Sequence, residues 1–212
     1  MIHNSIVYIL ELAVIQSGEL RKLNMTNFIE PYNVNWKIEF ENLKRLLMKS
    51  LNGFELDIQH VGSTAIPDLF AKPILDIDII IDNKTLLDDI STRLEKIGYI
   101  NKGEQGVSGR FAFRQTSEWT LQKDNYKNWQ AHHLYICISN SLALKNHLLF
   151  RDALVNDKKL VEEYSRLKND LVKEKGMTKE QYTRQKTDFI ISVLKTLGLD
   201  KHDIIEITNA NL

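Results

Sequence analysis

A single cysteine, Cys137, occurs in 212 residues. That excludes an intramolecular disulfide and any cysteine-rich zinc site, and it points to a reducing, cytoplasmic setting. Net charge is missing as well: 28 Lys and Arg balance 28 Asp and Glu. The chain therefore lacks the broad basic field by which sequence-independent nucleic-acid binders hold phosphates, and any bound polyanion must be held locally. Long apolar runs are also absent. The most apolar N-terminal stretch, IVYILELAVI at 6–15, is ten residues long and contains Glu11, half of the roughly 20 needed to cross a bilayer. Its basic residues, Arg21 and Lys22, come after it, the reverse of a secretory signal. No membrane partner is expected.

No repeat, low-complexity tract or internal linker interrupts the chain from Pro31 onward. With 43% apolar and 26% charged residues, the composition is that of a soluble globular domain. Residues 28–197 read as that domain, 198–212 as a C-terminal tail, and 1–27 as a helical N-terminal extension or an upstream segment with Met25 opening the functional part.

Asn33 is placed to cap a helix in which Trp36, Phe40, Leu43, Leu47 and Leu51 recur every three or four residues, ending at Asn52-Gly53. Residues 54–61 and 74–81 are short, β-branched and bounded by Gly or Pro, so they read as strands. The connection GSTAIPDLFAKP suits neighbouring strands joined through one short helical turn. A helix is expected over 85–97, stopped by Gly98, then a loop, then strands over 110–115 and 132–138. Alternation in the last strand puts Leu134, Ile136 and Ile138 on one face and His133, Tyr135 and Cys137 on the other. Three helices follow, over 141–155, 157–175 and 178–197, the last opened by the capping box Thr178-x-x-Gln181. Strands in the middle and helices at both ends argue an α+β (mixed α/β) domain with a C-terminal helical block.

Chemistry concentrates in HVGSTAIPDLFAKPILDIDIII, residues 60–81. Asp76 and Asp78 are two apart on a strand, so both carboxylates project from one face. Half-burying two like charges costs several kcal/mol unless a cation compensates, and paired hard oxygens suit Mg²⁺ or Mn²⁺. The plain alternative is that both sit at the exposed end of an edge strand. Gly62 lets the backbone approach a ligand, and Ser63 and Thr64 can cradle a phosphate. Twelve residues separate Ser63 from Asp76.

A hydrophobic residue, Gly-Ser, a short connection and then Asp-x-Asp resembles the nucleotidyltransferase superfamily, the polymerase-beta-like fold. A closer resemblance covers residues 29–194. PYNVNWKIEFENL (31–43), HVGSTAIPDLFAKPILDIDI, GRFAF (109–113), HHLYI (132–136) and LLFRDALVNDKKLVEEYSRLKNDL (148–171) are together similar to the GrpB family, some members of which are fused to dephospho-CoA kinase. The resemblance implies a nucleotidyltransferase-like fold, a mixed sheet flanked by helices. Two departures stand out. Ile66-Pro67-Asp68-Leu69 replaces the family's Val-Pro-Gly-Leu, and His133-Leu134-Tyr135 replaces its His-Leu-His. The superfamily's third carboxylate on a later strand has no counterpart in 132–138, and His133 is the candidate for that place.

Around this centre, Lys72 can neutralise phosphate charge or be a solvated turn lysine. Arg110, in GRFAF, follows a loop with Gly103, Gly106 and Gly109 that either closes over a ligand or merely connects. His60 is a general base or a satisfied strand-end histidine. His147, Arg151 and Asp152 fall on helical spacing and are expected to orient helices. Cys137 reads as a small core residue. Trp119, Tyr126 and Trp129 can stack a base or pack.

The expected activity is metal-dependent transfer of a nucleoside monophosphate from an NTP to a small-molecule acceptor. Asp76, Asp78 and His133 would be catalytic, Asp76 and Asp78 would hold Mg²⁺ (or Mn²⁺), and Gly62, Ser63, Thr64, Lys72 and Arg110 would bind the nucleotide. The alternative is a non-catalytic nucleotide-binding or accessory module, possible in a family linked by fusion to coenzyme A metabolism. A nucleic-acid acceptor is disfavoured by the zero net charge.

Overall fold

The computed structural model describes residues 29–116 and 129–210. Helix α1 (Asn35–Ser50) opens the described fold and buries Trp36, Phe40, Leu43 and Leu47, the stripe expected from spacing. Asn33 secures its first turn from just outside: its Oδ1 accepts the Asn35 N–H at 3.0 Å and its carbonyl the Trp36 N–H at 2.9 Å. Strand β1 (Asp57–Val61) leads through a 3₁₀ turn, Ser63–Ala65, to strand β2 (Leu75–Ile81). A second 3₁₀ turn and helix α2 (Leu87–Glu95) follow, then strands β3 (Tyr99–Asn101), β4 (Arg110–Gln115) and β5 (His132–Ile138). The segment expected as plain loop after Gly98 thus begins with a three-residue strand, too short to carry a readable period.

The five strands form one mixed sheet in the order β1-β2-β5-β4-β3. Strands β1 and β2 pair antiparallel, β2 and β5 parallel, and β4 runs antiparallel to both β5 and β3. Pairing sets the faces. On one, Leu75, Ile77, Ile79, Ile81, Leu134, Ile136, Phe111 and Phe113 join α1 and α2 in a single apolar cluster. Complete burial of a Leu or Ile here is worth about 1.5–3 kcal/mol, and this face fixes the register, because a slip of one residue would send every one of these side chains to the other side.

The opposite face is polar and is roofed by the C-terminal helices α3 (Leu142–Asn156), α4 (Lys158–Lys173) and α5 (Lys179–Thr196). Arg151 docks α3 on β1, its Nη1 donating to Gln59 Oε1 at 2.8 Å and to the His60 carbonyl at 3.0 Å. The connection after β1 packs beneath the same helices, Ile66 and Leu69 meeting Leu154, Val161 and Tyr164. The capping box is complete, with Thr178 Oγ1 accepting from the Gln181 N–H and Gln181 Oε1 from the Thr178 N–H. Within 198–212, Lys201–Ala210 form a further helix, α6, whose Ile204 and Ile207 pack with Ile191, Leu194 and Leu199.

Candidate functional site

Register brings the sequence candidates together on the polar face. Asp76 lies directly across from His133, and Asp78 from Tyr135. The His133 Nδ1 is 3.0 Å from Asp76 Oδ1, a pair open to solvent, with the Asp76 side chain 32% exposed. Asp78 is different. Its side chain is fully buried, Oδ2 lies 2.7 Å from His147 Nδ1 on α3, and among the described residues no hydrogen bond reaches Oδ1. An orphaned carboxylate oxygen at the centre of a buried face is what a cation would satisfy, so the residues present fit a divalent ion on Asp76 and Asp78.

Gly62 sets how closely the turn meets this pair. Its φ of 69° with ψ of −171° is a backbone state essentially restricted to glycine, and a Cβ there would overlap the Asp76 carboxylate. The aspartate occupies the space that only glycine leaves free. Ser63 turns its hydroxyl to Lys168 of α4, Nζ to Oγ 3.1 Å. Thr64 is not turned to the face: it is 1% exposed, donates to the Ile74 carbonyl at 3.2 Å and accepts from His60 Nε2 at 3.0 Å. That leaves Ser63 as the outward hydroxyl of the turn. His60 stacks on Phe40 with centroids 4.6 Å apart, and burial, reinforced by Arg151 against an opposing pull from Asp76, lowers its pKa to about 4. Held this way, the imidazole ties β1 to the turn.

Lys168 is the residue that reading along the chain passed over. It is 1% exposed, and its Nζ lies over the Tyr164 ring, 4.4 Å from the centroid. Burial drives its pKa well below the usual lysine range and the nearby Lys186 pushes the same way. Lys186, on α5, is itself depressed by burial and by Lys72, while Asp76 opposes the shift. Lys168 meets Ser63, and Lys186 is coupled electrostatically to Lys168, to Asp76 and to the expected Lys72. The signal was present: position 168 is four after Tyr164 and three before Leu171, so a lysine stands on the buried stripe of an amphipathic helix.

The family model described as GrpB protein matches residues 27–196. The chain belongs to the GrpB family. It is 30% identical to the UPF0157 protein YqkA of Bacillus subtilis over 159 residues, covering 75% of this chain but only 43% of that relative. With the glutamate-rich protein GrpB of Alkalihalophilus pseudofirmus the identity is 27%, over 78% of this chain and 92% of that one. The crystal structure of the conserved protein GrpB from Enterococcus faecalis superposes with a TM-score of 0.63 at 28% identity, over 80% of this chain and 98% of that chain. The Cid1 poly(U) polymerase solved with MgGTP bound superposes at 0.54 with 18% identity, over 81% of this chain and 53% of that one. At that identity the likeness shows the nucleotidyltransferase-like fold alone.

In this GrpB-family chain Arg110 stands away from Ser63. It pairs across the sheet with Cys137, four residues beyond the His133 rung, or about 13 Å along the strand. Its guanidinium lies over the Tyr135 ring, 4.7 Å from the centroid, and its buried Nε has no partner among the described residues. Burial, with Asp76, raises the Tyr135 pKa to about 12, while Arg110 opposes the rise, so the phenol stays protonated. Arg110 also lines a pocket with Ser108, Asn146, His147 and Glu206. His147, expected to orient a helix, therefore belongs to the site, joining Asp78 to that pocket. Trp129 packs against the main core, whereas Trp119 and Tyr126 lie outside the described residues. Among the described residues no helix is long and apolar enough to cross a membrane.

Proposed function

We propose that this GrpB-family domain transfers a nucleoside monophosphate from an NTP to a small-molecule acceptor. One observation carries the reading: two aspartates on a single strand face stand beside a Gly-Ser turn whose hydroxyl meets a buried lysine. In this reading Ser63, Lys168, Lys186 and Lys72 hold the outer phosphates, offsetting charge that grows on the departing pyrophosphate. Asp76 and Asp78 hold the divalent ion, which supplies charge compensation and alignment of phosphate oxygens when bound. His133, across from Asp76, keeps that carboxylate oriented. The pocket of Arg110, Asn146, Ser108 and Glu206 receives the other part of the substrate pair. A nucleic-acid acceptor is not proposed, because the chain has no net positive charge.

The test is thermal stability of wild type and Asp76→Asn with each NTP, with and without Mg²⁺ or Mn²⁺, since a ligand that binds only the folded state raises stability by mass action. A shift in the wild type that needs metal and disappears in Asp76→Asn supports the reading; no shift with any NTP overturns it. Pyrophosphate release then separates catalysis from binding, and Asp78→Asn is expected to abolish release.

A second reading has its own observation. Each aspartate already faces a histidine, Asp76 with His133 and Asp78 with His147, so the face can be compensated without turnover. A nucleotide-binding accessory module, in a coenzyme A or other pathway, would show the thermal shift and release no pyrophosphate with any acceptor.

A further inference from the structure

The oxygen ligands of the proposed Mg²⁺ site are not alone. Cys137, on the rung beyond Tyr135, and His147 of α3 place a sulfur and a nitrogen so that one ligand atom from each, together with one from Asp78, lie within 4.8 Å of one another. All three donors come from regular elements: Asp78 sits on β2, Cys137 on β5, the central strand and parallel neighbour of β2, and His147 on the helix that roofs them. Asp78 and Cys137 are both fully buried. The second, independent sign of a ligand is Asp78 Oδ1, fully buried within this group and without a hydrogen-bond partner among the described residues. A buried carboxylate oxygen left so is costly, and the S–H of Cys137 that meets this carboxyl group is a weak donor.

We infer that Asp78, which the Asp76–Asp78 pair shares, forms with His147 and Cys137 a centre for a borderline-soft divalent transition ion of the Zn²⁺ class. Mg²⁺ takes carboxylates and water and avoids sulfur and imidazole, whereas Zn²⁺ takes one of each of these donors at about 2.0–2.3 Å. Tetrahedral ligands at those lengths lie about 3.3 Å apart or slightly more. The 2.7 Å between His147 Nδ1 and Asp78 Oδ2 therefore has to open by only about half an ångström to admit the ion. The thiol gives up its proton to solvent on binding, as coordinating thiols do. With three protein ligands, a fourth position is left for water or a substrate oxygen, and the pocket that His147 lines with Arg110 and Asn146 supplies the room. The centre lies on the same face as the Asp76–Asp78 pair of the nucleotidyl-transfer reading and rests on that reading only for its use; it stands or falls on its own binding measurement.

The measurement uses the metals alone, without nucleotide. Co²⁺ titrated into the whole chain is expected to bind once, with visible bands of a tetrahedral site and a near-ultraviolet thiolate-to-cobalt band, and to be displaced by equimolar Zn²⁺ but not by millimolar Mg²⁺. Cys137→Ser, nearly isosteric, is expected to lose the near-ultraviolet band. His147→Gln is expected to weaken Co²⁺ binding by more than the roughly 10–100-fold that an outer-shell partner costs. No Co²⁺ binding, displacement by Mg²⁺, or an unchanged ultraviolet band in Cys137→Ser overturns the centre, and wild-type titration alone decides it if a variant fails to fold. NTP-dependent stabilisation with Mg²⁺ in a chain that fails these tests would leave nucleotidyl transfer standing and this centre refuted.

Discussion

Replacing Lys168 by methionine is expected to stabilise the protein and blind it to phosphate. The amine is 1% exposed, and among the described residues no carboxylate lies within ion-pair distance of it. Burial and Lys186 both disfavour its charged form. Taking such a charge out of water costs several kcal/mol even after relaxation. The Ser63 hydrogen bond returns about 1.5–3 kcal/mol and the Tyr164 ring about 2 kcal/mol when desolvated. Buried ionic groups replaced by well-packed apolar residues of similar volume gain about 1–4 kcal/mol, and Met fills the same slot without charge. For a domain of this size, about 2 kcal/mol corresponds to about 4–8 °C in Tm. Differential scanning fluorimetry of both proteins, with and without sodium tripolyphosphate or an NTP, reads both halves of the expectation. Wild type at a ligand concentration about 100-fold above Kd gains about 2.7 kcal/mol, and Lys168→Met gains nothing. A variant that melts lower yet still responds to ligand would show that Lys168 is a packing residue and refute the reasoning.

Three further expectations follow from single residues. Gly62→Ala forces a side chain into a glycine-only backbone state, about 1–3 kcal/mol, and pushes the Asp76 carboxylate aside; a Tm equal to wild type would contradict it. Asp68 has φ 64°, a left-handed state that glycine holds without strain, so Asp68→Gly should gain up to about 1 kcal/mol and Asp68→Val lose about 1–2 kcal/mol; urea midpoints in the reverse order would contradict the backbone argument. Burial lowers the pKa of both His60 and His132 to about 4. His132 donates Nδ1–H to the Gln130 carbonyl at 2.9 Å and accepts the Tyr99 hydroxyl at Nε2, 2.6 Å away, so it is held neutral. The unfolded chain then binds more protons below about pH 6.5, and stability falls as pH drops from there toward 4, by about 2 kcal/mol per histidine at pH 5. His132→Gln should flatten the Tm profile over that window, and an unchanged slope would exclude His132 as a cause.

Much of this was legible along the chain because it is local. The α1 stripe, the alternation of β5 and the Thr178–Gln181 box are each set by neighbours within four residues, and the structure has all three. Asp76 and Asp78 could be grouped because strand period alone sends them to one face, and His133 joined them through the family resemblance. What stayed hidden depends on packing between distant segments. His147 and Lys168 lie on stripes that read as core, and only docking of α3 and α4 on the sheet turns them toward Asp78 and Ser63. Strand β3, three residues long, and α6, whose apolar contacts come from α3 and α5, gave no periodic signal of their own.

The parallel pairing of β2 with β5 has a kinetic consequence. Partners at the site are far apart in the chain: Asp76 and His133 by 57 residues, Asp78 and His147 by 69, Gln59 and Arg151 by 92, Ser63 and Lys168 by 105. The hairpin of β1 and β2 and the helices α1 and α2 can form from nearby contacts, but each of these pairs must first close a long loop, and such closures are slow steps. Ligand competence is therefore the last property the refolding chain acquires. A nascent or nicked chain lacking its helical roof carries two aspartates on an open strand face without Lys168 and Lys186.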